Sequence, residues 1–336
     1  MEILLKKLDV QVVVITGATS GIGLVTARMA AKRYAKLVLA ARNEDALKKL
    51  TDEINEDGGD AMYVVADVGV EADVQKIADE ALGRFGRFDT WINNAGVSIY
   101  GRLGEISTED HRRLFETNYW GVVYGSLTAA KYLRKNGGAL INVGSVLSDR
   151  AIPLQGAYCA SKHAVKGFTD ALRMELEEED APVSVTLIKP SAIDTPYKDH
   201  AKNYLEVEPE NPPPVYAPET VAEAILFSAE NVERDVFVGG GGKALAALGE
   251  YAPRVTDKVM EMTMFDLQKS DESPTHEKEG LYDSADNSLR ERGGYSGHVA
   301  ESSIYTKASL HPVITGAAIT LGIGLVFLAL KRNYDD

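Results

Sequence analysis

The chain has 336 residues, of which 45% are hydrophobic, so its length and composition are those of a globular protein with a full core. A formal net charge of −14 argues against a general nucleic-acid-binding protein. The single cysteine, Cys159, excludes an internal disulfide, and the six histidines form no metal-binding pattern. We also find no signal peptide before the first apolar run.

Short apolar runs alternate with longer helical patterns between residues 8 and 242. The apolar runs are nearly continuous, which is typical of parallel strands buried on both faces. This alternation predicts an α/β fold, a Rossmann-type doubly wound parallel sheet flanked by helices. The candidate strands are VVVIT (12–16), KLVLAA (36–41), MYVVAD (62–67), TWINNA (90–95), ALINVGS (139–145), SVTLIKP (184–190) and VFVGG (236–240).

The segment TGATSGIG, residues 16–23, follows the first predicted strand and opens the first predicted helix. Gly17, Gly21 and Gly23 permit a tight turn and a close backbone approach. The helix N-terminus offers free N–H groups and the positive end of the helix dipole to a pyrophosphate. In the context of strand, loop and helix, this motif predicts a dinucleotide site.

The end of the second strand bears on which nicotinamide cofactor binds. An acidic residue that would bond the ribose 2′-hydroxyl of NAD is expected about 20 residues after the glycines. Here Ala41 and Arg42 stand at that place, and a guanidinium can pair with a 2′-phosphate. The sequence therefore predicts NADP(H), with Ser20 and Asn43 as helpers. The alternative is a solvated Arg42 and a bound NAD.

The segment YCASK, residues 158–162, places a phenol and an ammonium four residues apart. On a helix these side chains lie on the same face. A nearby cation favours the charged form of a tyrosine, so Lys162 is expected to move the pKa of Tyr158 toward neutral pH. The alternative is an ordinary surface pair. We interpret Cys159, between them, as a packing residue.

The chain changes character after residue 242. Residues 243–268 are amphipathic and are expected to form helices divided at Pro253, which pack on the core or at a membrane surface. The methionines at 260, 262 and 264 suit either ordinary packing or an apolar binding surface. Residues 269–312 are polar and are interpreted as a partly disordered linker.

The segment VITGAAITLGIGLVFLAL, residues 313–330, carries no charge and is followed by Lys331 and Arg332. At about 1.5 Å per residue it would extend for about 27 Å, close to the hydrocarbon thickness of a bilayer. It predicts a transmembrane helix that anchors a cytoplasmic catalytic domain to a membrane. The alternatives are a buried C-terminal helix and an oligomer contact.

Several of these motifs occur together in an order that resembles a known family. TGATSGIG, NNAG (93–96), Asn118, Ser145, YCASK and PSAIDT (190–195) follow one another as in the short-chain dehydrogenases/reductases. The resemblance is to the form with a single domain of about 250 residues, and it covers roughly residues 8–242. One departure is Ser191, where the family commonly has glycine after the proline.

The resemblance implies a role for each matching position. Ser145 would bond the substrate carbonyl, and Tyr158 would be the general acid/base. Lys162 would hold the ribose hydroxyls and lower the tyrosine pKa, while Asn118 would hold a water molecule linked to Lys162. The implied catalytic residues are therefore Asn118, Ser145, Tyr158 and Lys162. The implied cofactor-binding residues are Gly17, Thr19, Ser20, Gly21, Ile22, Gly23, Arg42, Asp67 (at the adenine), Asn94, Ala95, Gly96, Tyr158, Lys162, Pro190, Ile193 and Thr195, with Asn93 mainly holding the sheet together.

These residues predict an NADP(H)-dependent oxidoreductase that transfers a hydride between nicotinamide and a carbonyl or alcohol. The predicted membrane segment suggests a lipophilic substrate, and residues 191–220, with Tyr197, Tyr204 and Tyr216, are the candidate substrate loop. The alternative is a catalytically silent cofactor-binding membrane module that docks a partner. A sugar-nucleotide epimerase is disfavoured by NNAG and by the lack of a large second domain. The resemblance suggests a homodimer or homotetramer.

Overall fold

A computed structural model describes residues 3–274, 279–284, 289–312 and 315. Its strands in chain order are β1 (Val12–Thr16), β2 (Lys36–Ala41), β3 (Asp60–Val65), β4 (Thr90–Asn93), β5 (Ile99–Tyr100), β6 (Gly138–Val143), β7 (Val183–Pro190), β8 (Ala192–Ile193), β9 (Lys202–Asn203), β10 (Val215–Tyr216), β11 (Asp235–Val238) and β12 (Val299–Ala300). Its α-helices are α1 (Gly21–Ala31), α2 (Glu44–Glu56), α3 (Glu71–Phe85), α4 (Thr108–Phe115), α5 (Gly121–Asn136), α6 (Gly156–Glu178), α7 (Pro218–Glu230), α8 (Gly240–Tyr251), α9 (Pro253–Leu267) and α10 (Ile304–Leu310).

Seven strands form one parallel sheet in the order β11, β7, β6, β4, β1, β2, β3. Val13 of β1, for example, lies opposite Leu37 of β2 on one side and Thr90 of β4 on the other. Strand order therefore reverses between β1 and β4. The loops leaving these two strands diverge, which opens a crevice at the carboxyl ends of the strands. The predicted Rossmann-type sheet is confirmed, and its reversal point locates the site.

The central strand β1 contributes to two cores, one on either face of the sheet. Val13 and Ile15 belong to a buried cluster with residues of α1, α2 and α7. Val12 and Val14 belong to a second cluster with residues of α3, α5 and α6. All four are at most 1% exposed, and full burial of one such side chain is worth about 1.5–3 kcal/mol. Helices on both faces thus explain the nearly continuous apolar strands.

The amphipathic segment after residue 242 forms α8 and α9, and the chain does break at Pro253. Proline cannot continue a helix because it lacks an N–H group, but it is well suited to the first turn of one. Thr256 and Met260 of α9 are buried, whereas Val255 and Met262 are exposed. The apolar residues of α9 are therefore divided between its inner and outer faces.

The structure differs from the predicted linker over the described parts of residues 269–312. Leu281 is fully buried, β12 pairs with β10, and α10 packs on α7 and β11. The Asp194 carboxylate accepts hydrogen bonds from the backbone N–H groups of Gly293 (3.0 Å) and Tyr295 (3.1 Å). Polar composition misled the prediction because backbone hydrogen bonds hold this segment, and such bonds leave no apolar periodicity in the sequence.

The predicted transmembrane segment, residues 313–330, lies outside the described residues except for Thr315. Within the part of the chain that the structure does describe, no helix combines the length and the apolar character that crossing a bilayer requires. Membrane attachment and oligomeric state stay predictions from the sequence.

Candidate active site

The glycine-rich loop between β1 and α1 has the tight geometry that its sequence predicts. Gly17 and Gly21 adopt positive φ values of 66° and 50°, which side chains disfavour. A Cβ atom on Gly23 would lie 2.1 Å from the carbonyl oxygen of Gly17, so only glycine fits there. The Asn94 side-chain amide donates to the carbonyl oxygens of Thr16 (3.0 Å) and Gly17 (3.1 Å) and so fixes the loop from β4.

This loop borders a first cavity of about 200 Å³ at the crevice. The predicted cofactor residues that line it are Gly17, Thr19, Ser20, Gly21, Ile22, Arg42, Asp67, Asn94, Ala95, Gly96 and Thr195. The N-terminus of α1 lies at its edge, where helix N–H groups favour an anion. The cavity thus has the lining and the polarity that a dinucleotide requires.

Charged groups cluster at the predicted adenosine end of the first cavity. Asp67 forms an ion pair of 2.6 Å with Arg113 and accepts a hydrogen bond from the Gly69 N–H (2.9 Å). Burial alone would raise the pKa of Asp67, but these two contacts hold the pKa of the carboxyl below its usual value. Burial is also the main cause that lowers the pKa of Arg42.

The C-terminal segment, the described part of residues 269–312, contacts this end of the cavity. The sequence did not predict these contacts. Arg42 donates to the backbone carbonyl oxygens of Gly280 (2.6 Å) and Tyr282 (3.0 Å). At the glycine-rich loop, the Gly21 N–H donates to the Arg290 carbonyl (2.9 Å), and the Leu289 N–H donates to the Thr19 carbonyl (2.7 Å). The loop and Arg42 are therefore hydrogen-bonded to the C-terminal segment, and both also border the first cavity.

A second cavity, of about 340 Å³, adjoins the first and is lined by three of the four predicted catalytic residues, all except Asn118. Ile22, Asn94, Gly96, Thr195 and Tyr197 border both cavities, so the two form one continuous cleft. The other predicted residues in its lining are Ser145, Tyr158, Lys162, Pro190 and Ile193, together with Ser191. The structure therefore places the predicted catalytic hydroxyls in the second cavity, next to its junction with the first.

Helix α6 holds Tyr158 and Lys162 on one face, as their spacing predicts. The Lys162 Nζ atom lies 5.7 Å from the centre of the Tyr158 ring and donates to the Val143 carbonyl at 2.8 Å. Ser145 follows β6, and its hydroxyl accepts a hydrogen bond from the Leu147 N–H (3.0 Å). These three predicted catalytic side chains are all buried, at 4–8% exposure. The surface-pair alternative is therefore wrong.

Asn118 lies in a π-helical turn, Glu116–Trp120, between α4 and α5. Such turns are rare in proteins, and those that occur are often found at functional sites. Its side chain accepts from the Val97 N–H (2.8 Å) and donates to the Val97 carbonyl (2.9 Å). A Cβ atom on Gly96 would lie 3.5 Å from Asn118 Oδ1 and 3.8 Å from Lys162 Nζ, so both side chains approach one point behind the cavity wall. Asn118 thus fixes the segment after β4 beside Lys162.

The ionisation of the Tyr158–Lys162 pair differs from the sequence expectation. Burial raises the pKa of Tyr158 to about 12, and burial lowers the pKa of Lys162 to about 8. The sequence showed that the two groups are neighbours, but it did not show that both are removed from water. The loss of solvation is the main cause of both pKa shifts, and hydrogen bonds with Tyr197 and Ser145 offset it only in part for Tyr158.

Three tyrosines were candidates for the substrate site, and one of them reaches it. Tyr197 packs edge-on against Tyr158, with ring centres 5.5 Å apart, and borders the cleft. The Tyr204 hydroxyl instead bonds to Asp110 (2.5 Å), and Tyr216 of β10 lies outside both cavity linings. The sequence missed the contribution of α8 and α9, which supply Leu245, Met260 and Met264 to the second cavity. The helical spacing of these apolar residues was the only feature of the sequence that indicated a shared packing face.

The lowered pKa of Lys162 predicts a specific pH dependence of stability. An unfolded lysine keeps its proton up to pH 10.5, whereas buried Lys162 releases it near pH 8. Between these values the unfolded state binds more protons, so this residue makes the free energy of unfolding rise with pH. Urea unfolding of the cofactor-free protein should show a gain of about 2 kcal/mol between pH 7.5 and pH 10 relative to Lys162→Met. Parallel pH profiles would contradict the assignment.

Known proteins share the sequence of this chain over much of its length. A family model described as short chain dehydrogenase matches residues 11–204. "Uncharacterized oxidoreductase YxnA" of Bacillus subtilis is 51% identical over 333 residues, which cover 98% of this chain and 92% of that protein. "Dehydrogenase/reductase SDR family member 7B" of Bos taurus is 34% identical over 263 residues, covering 74% of this chain and 80% of its own.

Two solved structures share the fold at 28% identity. An alcohol dehydrogenase from Thermococcus sibiricus, complexed with 5-hydroxy-NADP, has a TM-score of 0.60 and covers 68% of this chain and 95% of its own. A short chain dehydrogenase/reductase from Burkholderia phymatum, in complex with NAD, has a TM-score of 0.66 and covers 76% of this chain and 96% of its own. Relatives of this fold therefore bind nicotinamide cofactors both with and without the 2′-phosphate.

Proposed function

Since this chain belongs to the short-chain dehydrogenase family, we propose that it is an NADP(H)-dependent oxidoreductase acting on a lipophilic carbonyl or alcohol. One observation carries the proposal. Ser145, Tyr158 and Lys162 converge in a cavity that opens directly from the glycine-loop crevice. A catalytically silent module would have no need of this convergence.

The residues of the second cavity suit proton transfer to a substrate oxygen. A nicotinamide cofactor, when bound, supplies the hydride chemistry, which no side chain can provide. The hydroxyls of Ser145 and Tyr158 donate hydrogen bonds to the oxygen on which negative charge develops. Tyr158 gives its proton to that oxygen in reduction and, as phenolate, takes it back in oxidation.

Lys162 supports this proton transfer through its charge. Its ammonium group favours the phenolate form of Tyr158, and it is one of the groups that would hold the cofactor ribose. Its present partner is the Val143 carbonyl, a neutral acceptor. A buried ammonium with only a neutral acceptor is costly, so a ribose hydroxyl and a developing phenolate would both be favourable partners.

NADP(H) is favoured over NAD(H) by the charges at the adenosine end of the crevice. Arg42 borders the first cavity directly after β2, where a 2′-phosphate would lie. Two of its N–H groups bond to neutral carbonyls of the C-terminal segment, Gly280 and Tyr282. A phosphate is the stronger acceptor, because charge-assisted hydrogen bonds are about twice as strong as neutral ones.

Replacing Arg42 with alanine should therefore weaken NADPH binding about 10–100-fold, as expected from the loss of one or two charge-assisted hydrogen bonds of about 1.5–3 kcal/mol. NADH binding should change less than about threefold. Fluorescence titration of both cofactors gives the two Kd values. Arg33→Ala, at an exposed arginine before β2, is the control. Equal losses for NADPH and NADH in Arg42→Ala would favour the NAD alternative.

A lipophilic substrate is favoured by the surroundings of the catalytic hydroxyls. Beyond Ser145 and Tyr158, the second cavity is bordered mainly by apolar side chains, including Ile152, Leu245 and Met260. Apolar groups of a substrate would leave water there, at a gain of roughly 25 cal/mol per Å² of apolar surface.

NADPH oxidation against ketones and aldehydes graded in size and lipophilicity tests the proposed function. Turnover that requires NADPH and increases with lipophilicity supports it. A protein that binds NADPH tightly but reduces no member of the panel would favour the silent module instead.

A further inference from the structure

Part of the wall of the second cavity comes from α8 and α9, which follow residue 239. Met260 and Met264 of α9 line the same cavity, of about 340 Å³, as Ser145 and Tyr158. The two methionines are four residues apart and therefore share one helix face. Met260 is 6% exposed, whereas Met262, on the opposite face of the same helix, is 78% exposed.

The position of α9 is fixed by polar contacts with the core. Gln268, at the end of the helix, is fully buried, and it donates to the Pro153 carbonyl (2.9 Å). Its carbonyl oxygen accepts a hydrogen bond from the Gln155 amide (2.8 Å). Near the start of the helix, Asp257 forms an ion pair with Arg150. Anchored near both ends, α9 is a fixed wall of the cavity.

Three polar side chains in the cavity lining have partners within the protein. Gln155 donates to Gln268, and the Asn211 amide donates to the Ile193 carbonyl (3.3 Å). Ser191 donates to the Gly239 carbonyl (3.3 Å). Most of the remaining lining is apolar, so the cavity favours a compound with one reacting oxygen and an otherwise apolar body.

We propose that Met260 and Met264 determine substrate specificity, because they set the length of the apolar body that fits between α9 and the catalytic hydroxyls. The inference rests on the proposed function, since it concerns the substrate of that same site. Methionine is flexible and fills irregular space, so each side chain limits the cavity without a rigid boundary. Removing Cγ, Sδ and Cε of either methionine enlarges the cavity on the side of α9.

The test is a chain-length profile of 4-alkylcyclohexanones, from methyl to octyl, in Met260→Ala, Met264→Ala and the matched control Met262→Ala. With NADPH, kcat/KM for the longest ketones relative to the shortest should rise at least about 10-fold in the first two variants, since each methylene in an apolar pocket is worth about 10-fold or more. Met262→Ala should keep the wild-type profile because its side chain lies in solvent. Identical profiles in all three active variants would overturn the inference.

A second measurement keeps the inference separate from the proposed function. The binding of 4-alkylphenols, which carry one hydroxyl and no carbonyl, is measured by calorimetry on the same proteins with NADP⁺ present. A shift of the optimal chain length in Met260→Ala and Met264→Ala alone supports the inference even if no ketone is reduced. No shift in any variant refutes it, whether or not the ketones are reduced.

Discussion

Replacing Tyr158 with phenylalanine should lower kcat for carbonyl reduction by about 10²–10⁴-fold and leave the Kd of NADPH within about threefold of the wild type. The substitution removes one hydroxyl and keeps the ring, whose packing against Tyr197 needs no oxygen. The substrate oxygen then loses its proton donor and one of two hydrogen bonds, and Ser145 alone cannot replace both. Steady-state kinetics and NADPH fluorescence titration measure the two quantities.

The control for this prediction is a tyrosine whose hydroxyl is bonded away from the cavities. Tyr204 donates to Asp110 at 2.5 Å. Tyr204→Phe should lose about 1–3 kcal/mol of stability, the usual value for a hydrogen bond to a charged group, and should keep its turnover. If Tyr158→Phe retained wild-type kcat, the assignment of Tyr158 as general acid/base would fail.

Replacing Gly23 with alanine should weaken NADPH binding by at least about 100-fold, or about 3 kcal/mol. The new Cβ would lie 2.1 Å from the Gly17 carbonyl oxygen and 2.5 Å from the Asn94 amide nitrogen. The first of these two groups is backbone, so the loop must move, and Asn94 must release the carbonyls that it holds. The loop would then lose the shape that presents the start of α1 to an anion. Fluorescence titration gives the affinity, and thermal unfolding shows whether the fold persists.

Gly83 offers a matched glycine in the exposed part of α3. A Cβ atom there would meet no other atom within 4 Å. Gly83→Ala should therefore leave cofactor binding unchanged and stabilise the protein by about 0.5–1 kcal/mol, because glycine is unfavourable inside a helix. An unchanged NADPH affinity in Gly23→Ala would mean that the cofactor does not use this loop.

The sequence by itself determined the sheet, the glycine-rich loop and the Tyr158–Lys162 face. Each of these depends on local properties. Strands buried on both faces need continuous apolar runs, a tight loop needs glycine, and residues four apart on a helix share a face. The motifs that resemble the short-chain dehydrogenases then implied which side chains meet, and the structure places Ser145, Tyr158 and Lys162 in one cavity.

The tertiary structure alone decided the course of the C-terminal extension. Residues 269–312 have the composition of a linker, yet Leu281 is fully buried and Arg290 accepts a hydrogen bond from Gly21. Likewise, the spacing of Met260 and Met264 indicated a shared helix face but not the cavity against which that face packs. Contacts between residues far apart in sequence decide both outcomes, and they leave no periodic signal in the chain.

The pKa values of the catalytic pair were also decided by the tertiary structure. A four-residue spacing shows that a cation is near a phenol, and this predicts a lowered tyrosine pKa. Burial raises the pKa of Tyr158 to about 12 instead, and it lowers that of Lys162 to about 8. Proximity along a helix is a local property that the sequence contains. The loss of water around both groups results from every element packed over them, and it exists only in the folded protein.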